Sequence, residues 1–189
     1  MNSQIKWVGF AVVVVIAAIF GMALSSFVAA NASGAGAALF TLAMLAVVVG
    51  IFWWLLSGNK KSAMADASAT SAALAMQPSE GKAAIYIMRK GFVGMLQGFD
   101  FEIEGVARGQ AKGNQFLYAE LLPGTYRITA KAKGNEGETQ LAVTSGEVVV
   151  LRVMLEPGLL KGMIMFDRLA NPASARADLG SIKMVCWDS

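Results

Sequence analysis

The chain has 189 residues, 56% of them hydrophobic and only 15% charged, with a net charge of +3. That charged share lies well below the ~25% of an average soluble domain, and from Gly81 onward acids and bases nearly balance, which leaves no basic stripe for nucleic acid. Without histidine, and with Cys186 as the only cysteine, the sequence excludes the common zinc sites, the usual base of serine and cysteine hydrolases and an internal disulfide.

Two long apolar runs come first, Trp7 to Ala30 and Gly36 to Ser57, joined by the uncharged loop Asn31 to Ala35. Roughly 20 residues at about 1.5 Å rise span the ~30 Å hydrocarbon core, so residues 1–58 are predicted to form a transmembrane helical hairpin with helices at about 7–30 and 36–57. A secretory signal core is usually about 7 to 15 residues long. The first run is longer and has no Leu-x-x-Cys lipid-attachment pattern, which favours a retained helix; a cleaved signal would leave the second run as the anchor. Lys6 flanks the first helix and Lys60 and Lys61 the second, so the positive-inside rule puts both termini and the following domain in the cytoplasm. Trp7, Trp53 and Trp54 fall at the same interface. No Asp, Glu, Lys or Arg lies within either helix, which argues against a conducting role. Small residues at four-residue spacing, Ala17, Gly21 and Ser25 on one helix and Ala46 and Gly50 on the other, permit close helix packing, with each other or with another subunit.

Residues 59–80 are rich in Ala, Ser, Thr and Met and end near Pro78. They show no apolar period and read as a flexible tether, with transient helix over Ala63 to Met76. From Gly81 the period becomes two. Strands are predicted at Ala83 to Met88, Phe99 to Glu104, Asn114 to Leu121, Thr125 to Lys133, Glu138 to Thr144 and Glu147 to Leu155. Pro123 and Gly124 mark a turn in which Pro presets φ and Gly takes a positive φ. Gly134 to Gly137 and Ser145-Gly146 mark two more. Residues 81–189 thus predict an all-β antiparallel sandwich, and the chain as a whole is α+β. The extension from about Pro157 reads as a seventh strand at Met163 to Leu169, a helical turn at Ser174 to Leu179 and a last strand at Ser181 to Trp187. The sixth strand is apolar on both faces, so Val148, Val150 and Met154 require a cover from this tail or from a partner.

Asp100, Glu102 and Glu104 alternate with Phe99, Phe101 and Ile103, which puts three carboxylates on one strand face. Arg127, Lys131 and Lys133 form a comparable basic row. If the two strands are neighbours, ion pairs explain both rows; a charged docking surface and a cation site are the alternatives. Tyr126 after the Pro-Gly turn is expected to return its hydroxyl to the backbone, as a tyrosine corner does. The glycine-rich stretch Gly91 to Gly98 lacks the helix and the Gly-Lys-Ser/Thr ending of a phosphate loop. Its Phe92, Val93, Met95 and Leu96 point to core burial, membrane contact or a partner contact. Cys186 is expected to be a small buried hydrophobe of the last strand.

The strand Ile85-Tyr-Ile-Met-Arg89, the Glu104-Gly105 turn, the segment Phe116 to Ala130 with its Pro123-Gly124-Thr125-Tyr126 corner, and Gly146 before a Val-rich strand together resemble the bacterial DUF2846 family. They are also similar to PEGA and carboxypeptidase-regulatory-like sandwiches. The resemblance covers about Gly81 to Leu155 and implies an Ig-like or PEGA-like sandwich of uncharacterised function, often on exported lipoproteins; here a two-helix anchor stands where those proteins carry a lipid-attachment cysteine. The leading expectation is a non-enzymatic integral membrane protein of the bacterial inner membrane, an accessory or structural subunit of a larger complex. Its partners are the lipid bilayer and other membrane subunits or copies of itself, and it needs no cofactor or metal. The alternative is an envelope module with the sandwich in the periplasm, binding a small ligand or glycan. An enzyme comes third and would need Asp100, Glu102 or Asp167 clustered in a deep cleft.

Overall fold

The computed structural model describes Ser26 and residues 34–57, 59–60, 62–91, 97–156 and 162–188. The chain divides into two compact units, Met1–Trp54 and Leu55–Ser189. A helix α1 at Gly34–Leu56 runs 23 residues without a charged side chain. Counted over the described residues alone, no helix is long and apolar enough to cross a membrane. Apart from Ser26, the first apolar run, with Ala17, Gly21 and Ser25, lies outside the described residues.

Among its described residues the second unit has nine strands: β1 (Ala83–Arg89), β2 (Phe99–Ile103), β3 (Ala107–Ala111), β4 (Gln115–Leu121), β5 (Gly124–Ala132), β6 (Asn135–Val143), β7 (Val148–Glu156), β8 (Met163–Arg168) and β9 (Lys183–Val185). They form a five-stranded sheet in the order β8-β7-β1-β4-β9 and a four-stranded sheet in the order β3-β2-β5-β6. Ile85, Ile87, Leu117, Val149, Leu151 and Val153 from the first meet Phe99, Phe101, Ile103, Ile128 and Ala130 from the second in one buried core. The period-two pattern accounts for this, since alternate residues of each strand point to the shared interior.

Three features depart from the sequence reading. The sandwich is not purely antiparallel: β1 pairs in parallel with β7, and β4 with β9. A strand was not expected at Ala107–Ala111, because Ala-Arg-Gly-Gln-Ala has no apolar alternation, yet β3 pairs with β2 along its whole length. The hairpin after β5 is tighter than foreseen. Ala132 pairs with Asn135, leaving Lys133 (φ 40°) and Gly134 (φ 80°) as a two-residue turn, the positive-φ geometry that suits the twist of two adjoining strands.

Residues 59–80 are not a free tether. Asn59 Oδ1 accepts the Gly98 N–H at 2.7 Å, Lys60 N–H donates to Gln110 Oε1 at 2.6 Å, and the Ser62 hydroxyl donates to the Gln110 carbonyl at 2.7 Å. Met64 bridges to Val185, flanked by Ala65 N–H to the Met184 carbonyl and Cys186 N–H to the Ala63 carbonyl. This strap adds a partner to the otherwise open side of β9, at the edge of the five-stranded sheet. Helix α2 (Ala67–Leu74) follows, capped by Asp66, whose side chain accepts the Ala69 N–H. A segment of small residues reads as unstructured because it has no apolar period. The same smallness lets Ala73 press onto the sheet, where it is 1% exposed.

Candidate interaction surfaces

The second face of the five-stranded sheet is closed by the chain itself. Ala84, Tyr86, Met88, Phe116 and Val150 lie under Ala73 of α2, Ala175 of a 3-10 turn (Pro172–Ala175), Leu179 of α3 (Arg176–Gly180) and Ile182. Val150 is therefore corrected from interaction candidate to core residue, at 0% exposure. Val148 is half-buried against the same cluster, and Met154 is half-buried farther along β7.

Beneath this cover lies a polar group that the sequence did not announce. Tyr86 donates its hydroxyl to the Ala73 carbonyl, and Tyr118 donates to Glu120 Oε1 at 2.8 Å, with the two rings 5.0 Å apart. Burial, and secondarily the Glu120 charge, push Tyr86 up to about 12. Burial also raises Tyr118, helped by its bond to Glu120. Hydrogen bonding from Ser79, with Tyr118 and Lys82 contributing, pulls Glu120 down to about 2. Because the folded value lies below the ordinary 4.5, the stabilisation is complete above the unfolded pKa and is lost as the pH falls through 4.5 toward 2. Glu120→Gln is expected to cost about 2 kcal/mol at neutral pH and to flatten the acid side of a stability profile followed by circular dichroism. An unchanged acid slope would remove Glu120 from this role.

The acidic row is divided between partners. Asp100 accepts from Gln110 Nε2 at 3.1 Å and pairs with Lys60 at 3.2 Å. Glu102 pairs with Arg108 of β3 at 2.6 Å. Glu104 lies past the end of β2, where its N–H donates to the Arg127 carbonyl at 3.0 Å. β2 and β5 are neighbours, with Asp100 opposite Lys131, but Arg127 pairs with Glu138 and Lys131 with Glu136, both on β6. Exposed pairs of this kind contribute ~0–1 kcal/mol each. Asp100, Glu102, Arg108, Lys60, Lys131 and Asp188 border a surface hollow of about 230 Å³ that includes one aromatic residue, Phe101. Asp167 stands on the other sheet opposite Arg152, so the three acids do not converge. Among the described residues no group of three or more His, Cys, Asp or Glu is placed to hold a metal ion.

At the other turns the chemistry is structural. Tyr126 donates its hydroxyl to the Leu122 carbonyl at 2.9 Å, forming the corner. Gly124 does not take a positive φ. A Cβ there would make only an ordinary contact with the Tyr126 ring, at 3.6 Å, so neither φ nor space demands glycine at this position. Cys186 is exposed, beyond the end of β9, contrary to the buried reading. Ala46 and Gly50 are exposed on α1, with no described atom within 4 Å of a Cβ placed on Gly50. Phe92 and Met95 lie outside the described residues, but the loop that carries them is bounded by a buried arginine. Arg89 is 4% exposed and donates to the Gln97 and Ala111 carbonyls at 2.7 and 3.1 Å. It stacks on the Phe99 ring at 3.4 Å, and burial lowers it to about 10.

Fold and surfaces together define a mixed-sheet β-sandwich with a strapped edge, preceded by an uncharged helix. Residues 79–163 match the family described as Protein of unknown function (DUF2846), which supports over that stretch the resemblance drawn from the sequence. The match takes in β1 to β7 and stops at the first residue of β8, so the strap, α2, α3 and β9 lie outside it. No curated protein matches the chain.

Proposed function

We propose that the chain is a non-enzymatic integral membrane protein that presents its sandwich as an interaction module, an accessory or structural subunit of a larger complex at the cytoplasmic face of a bacterial inner membrane. The observation that carries this reading is the uncharged helix that precedes the domain in the chain. Helix α1 has 23 residues and no charge, and it lies on the second of the two apolar runs of the sequence, each of which meets the roughly 20 residues that a crossing helix needs. Only Ser57 and Gly58 separate Leu56 from Asn59, the first strap residue bonded to the sandwich. The charged hollow on the four-stranded sheet lacks the mostly apolar lining of a pocket for a small apolar ligand, which supports a protein partner.

Purification of the tagged chain in mild detergent is expected to bring down stoichiometric membrane subunits or further copies of itself. A lone monomer would overturn the subunit reading. Reporters fused after Ser57 and at Ser189 are expected to give cytoplasmic signals, and periplasmic signals at both sites would overturn the placement.

A further inference from the structure

Lysines are unevenly distributed over the sandwich. Lys90 follows β1, Lys112 follows β3, Lys131 lies at the end of β5, Lys133 is in the hairpin after it, and Lys183 opens β9. Register places all five at one end: Arg89 pairs with Gln115, Gln115 with Lys183, Phe99 with Ala111, and Asp100 with Lys131. Lys60 joins them through its contact with Asp100. The acids at this end are Asp100, Glu136, Glu156, Asp167, Asp178 and Asp188, of which Asp178 pairs with Lys90 and Arg152, Glu136 with Lys131, and Asp100 and Asp188 with Lys60, so that six lysines and Arg152 stand against six carboxylates. The opposite end has the reverse balance, with Glu80, Glu104, Glu120 and Glu147 against Lys82, Arg127 and Arg168.

Two further observations concern the same end. Met163 and Met165, where β8 begins beside the last residues of β7, are 58% and 41% exposed. Asn59 is bonded to Gly98, next to the first residue of β2 and two residues of chain from the end of α1, so covalent reach keeps that attachment within ~11 Å of the helix terminus. Lysines mixed with exposed methionines, at the end to which the strap residue Asn59 is bonded, suit a surface of anionic headgroups over hydrocarbon. Juxtamembrane lysines are attracted to such a surface within a Debye length.

We propose that the lysine end of the sandwich docks on the anionic surface of the lipid bilayer, with Met163 and Met165 at headgroup depth, which fixes the orientation of the domain. The proposal rests on the reading that α1 lies in the bilayer. It adds that the domain itself is a lipid-contacting body whose opposite, acidic end is turned away from the membrane.

The test uses the full chain in phosphatidylcholine vesicles with or without phosphatidylglycerol. A dye is placed through Ser181→Cys, two residues before Lys183, or through Ser145→Cys at the opposite end, each with Cys186→Ser, and is quenched by a headgroup nitroxide lipid. Quenching at the Ser181 site is expected to exceed that at the Ser145 site several-fold when phosphatidylglycerol is present, and to fall with added salt. The triple change of Lys90, Lys112 and Lys183 to Gln is expected to reduce the docked population roughly fivefold per lysine, and the same three changed to Arg should restore it. Equal quenching at the two sites, or quenching indifferent to phosphatidylglycerol and salt, overturns the proposal. Alkaline carbonate reads the anchor separately. A chain stripped from the vesicles fails the anchoring reading, whereas a retained chain with equal quenching fails only the docking.

Discussion

Gly137→Ala is expected to destabilise the sandwich by about 3 kcal/mol or to prevent its folding. The edges of the two sheets meet there. β6 is the outer strand of one and β8 of the other, and a Cβ on Gly137 would lie 2.1 Å from the Ile164 carbonyl oxygen and 2.9 Å from its carbon. The obstacle is main chain, so no rotamer change relieves it. β8 would have to retreat, taking with it Ile164, which is 2% exposed in the core. Thermal unfolding of the full chain in detergent, followed by far-ultraviolet circular dichroism, would show the loss. The neighbouring exposed change Glu138→Ala is expected to cost less than about 1 kcal/mol. A Gly137→Ala protein as stable as the parent would mean that the sheets do not close at this seam.

Gln110→Ala is expected to have the second large effect, and a localised one. Gln110 is fully buried, at 0% exposure. Its amide donates to Asp100, its side-chain oxygen accepts the Lys60 N–H, and its main-chain carbonyl accepts the Ser62 hydroxyl. Truncation leaves a cavity, an unpaired Lys60 N–H and an Asp100 that has lost a donor, together about 2–4 kcal/mol. The site is crowded, since a Cβ on Gly98 would sit 2.3 Å from Gln110 Oε1. Trypsin cutting after Lys60 measures the opening of the strap, and a 2 kcal/mol loss accelerates it about 30-fold when opening is fast relative to cleavage. Unchanged proteolysis of Gln110→Ala would show that the strap is held elsewhere.

How far these features could be read in advance depended on how local their causes are. Phe99, Phe101 and Ile103 alternate with acids and sit in the core as that period requires. The Tyr126 corner was legible because its hydroxyl reaches a carbonyl four residues away in the same turn. β3 was not. Its Gly109 is chosen by a distant residue, since a Cβ there would be 3.1 Å from the Trp187 ring. The parallel pairing of β1 with β7, the Gln110 clamp and the burial of Ala73 likewise depend on partners far along the chain, and no local period encodes them. In the acidic row the shared face was legible, but the partners were not, because Lys60 comes from a segment read as linker and Arg108 from a stretch to which no element was assigned.

The strap also bears on the order of events during synthesis. Ala63, Met64 and Ala65 find their hydrogen-bonding partners in Met184, Val185 and Cys186, more than a hundred positions later in the sequence. At roughly 5–20 residues per second on the ribosome, the strap therefore waits on the order of ten seconds without these partners, after α1 has already been made. The interval is one in which a chaperone or an assembling subunit has access to that segment, and it closes when β9 arrives.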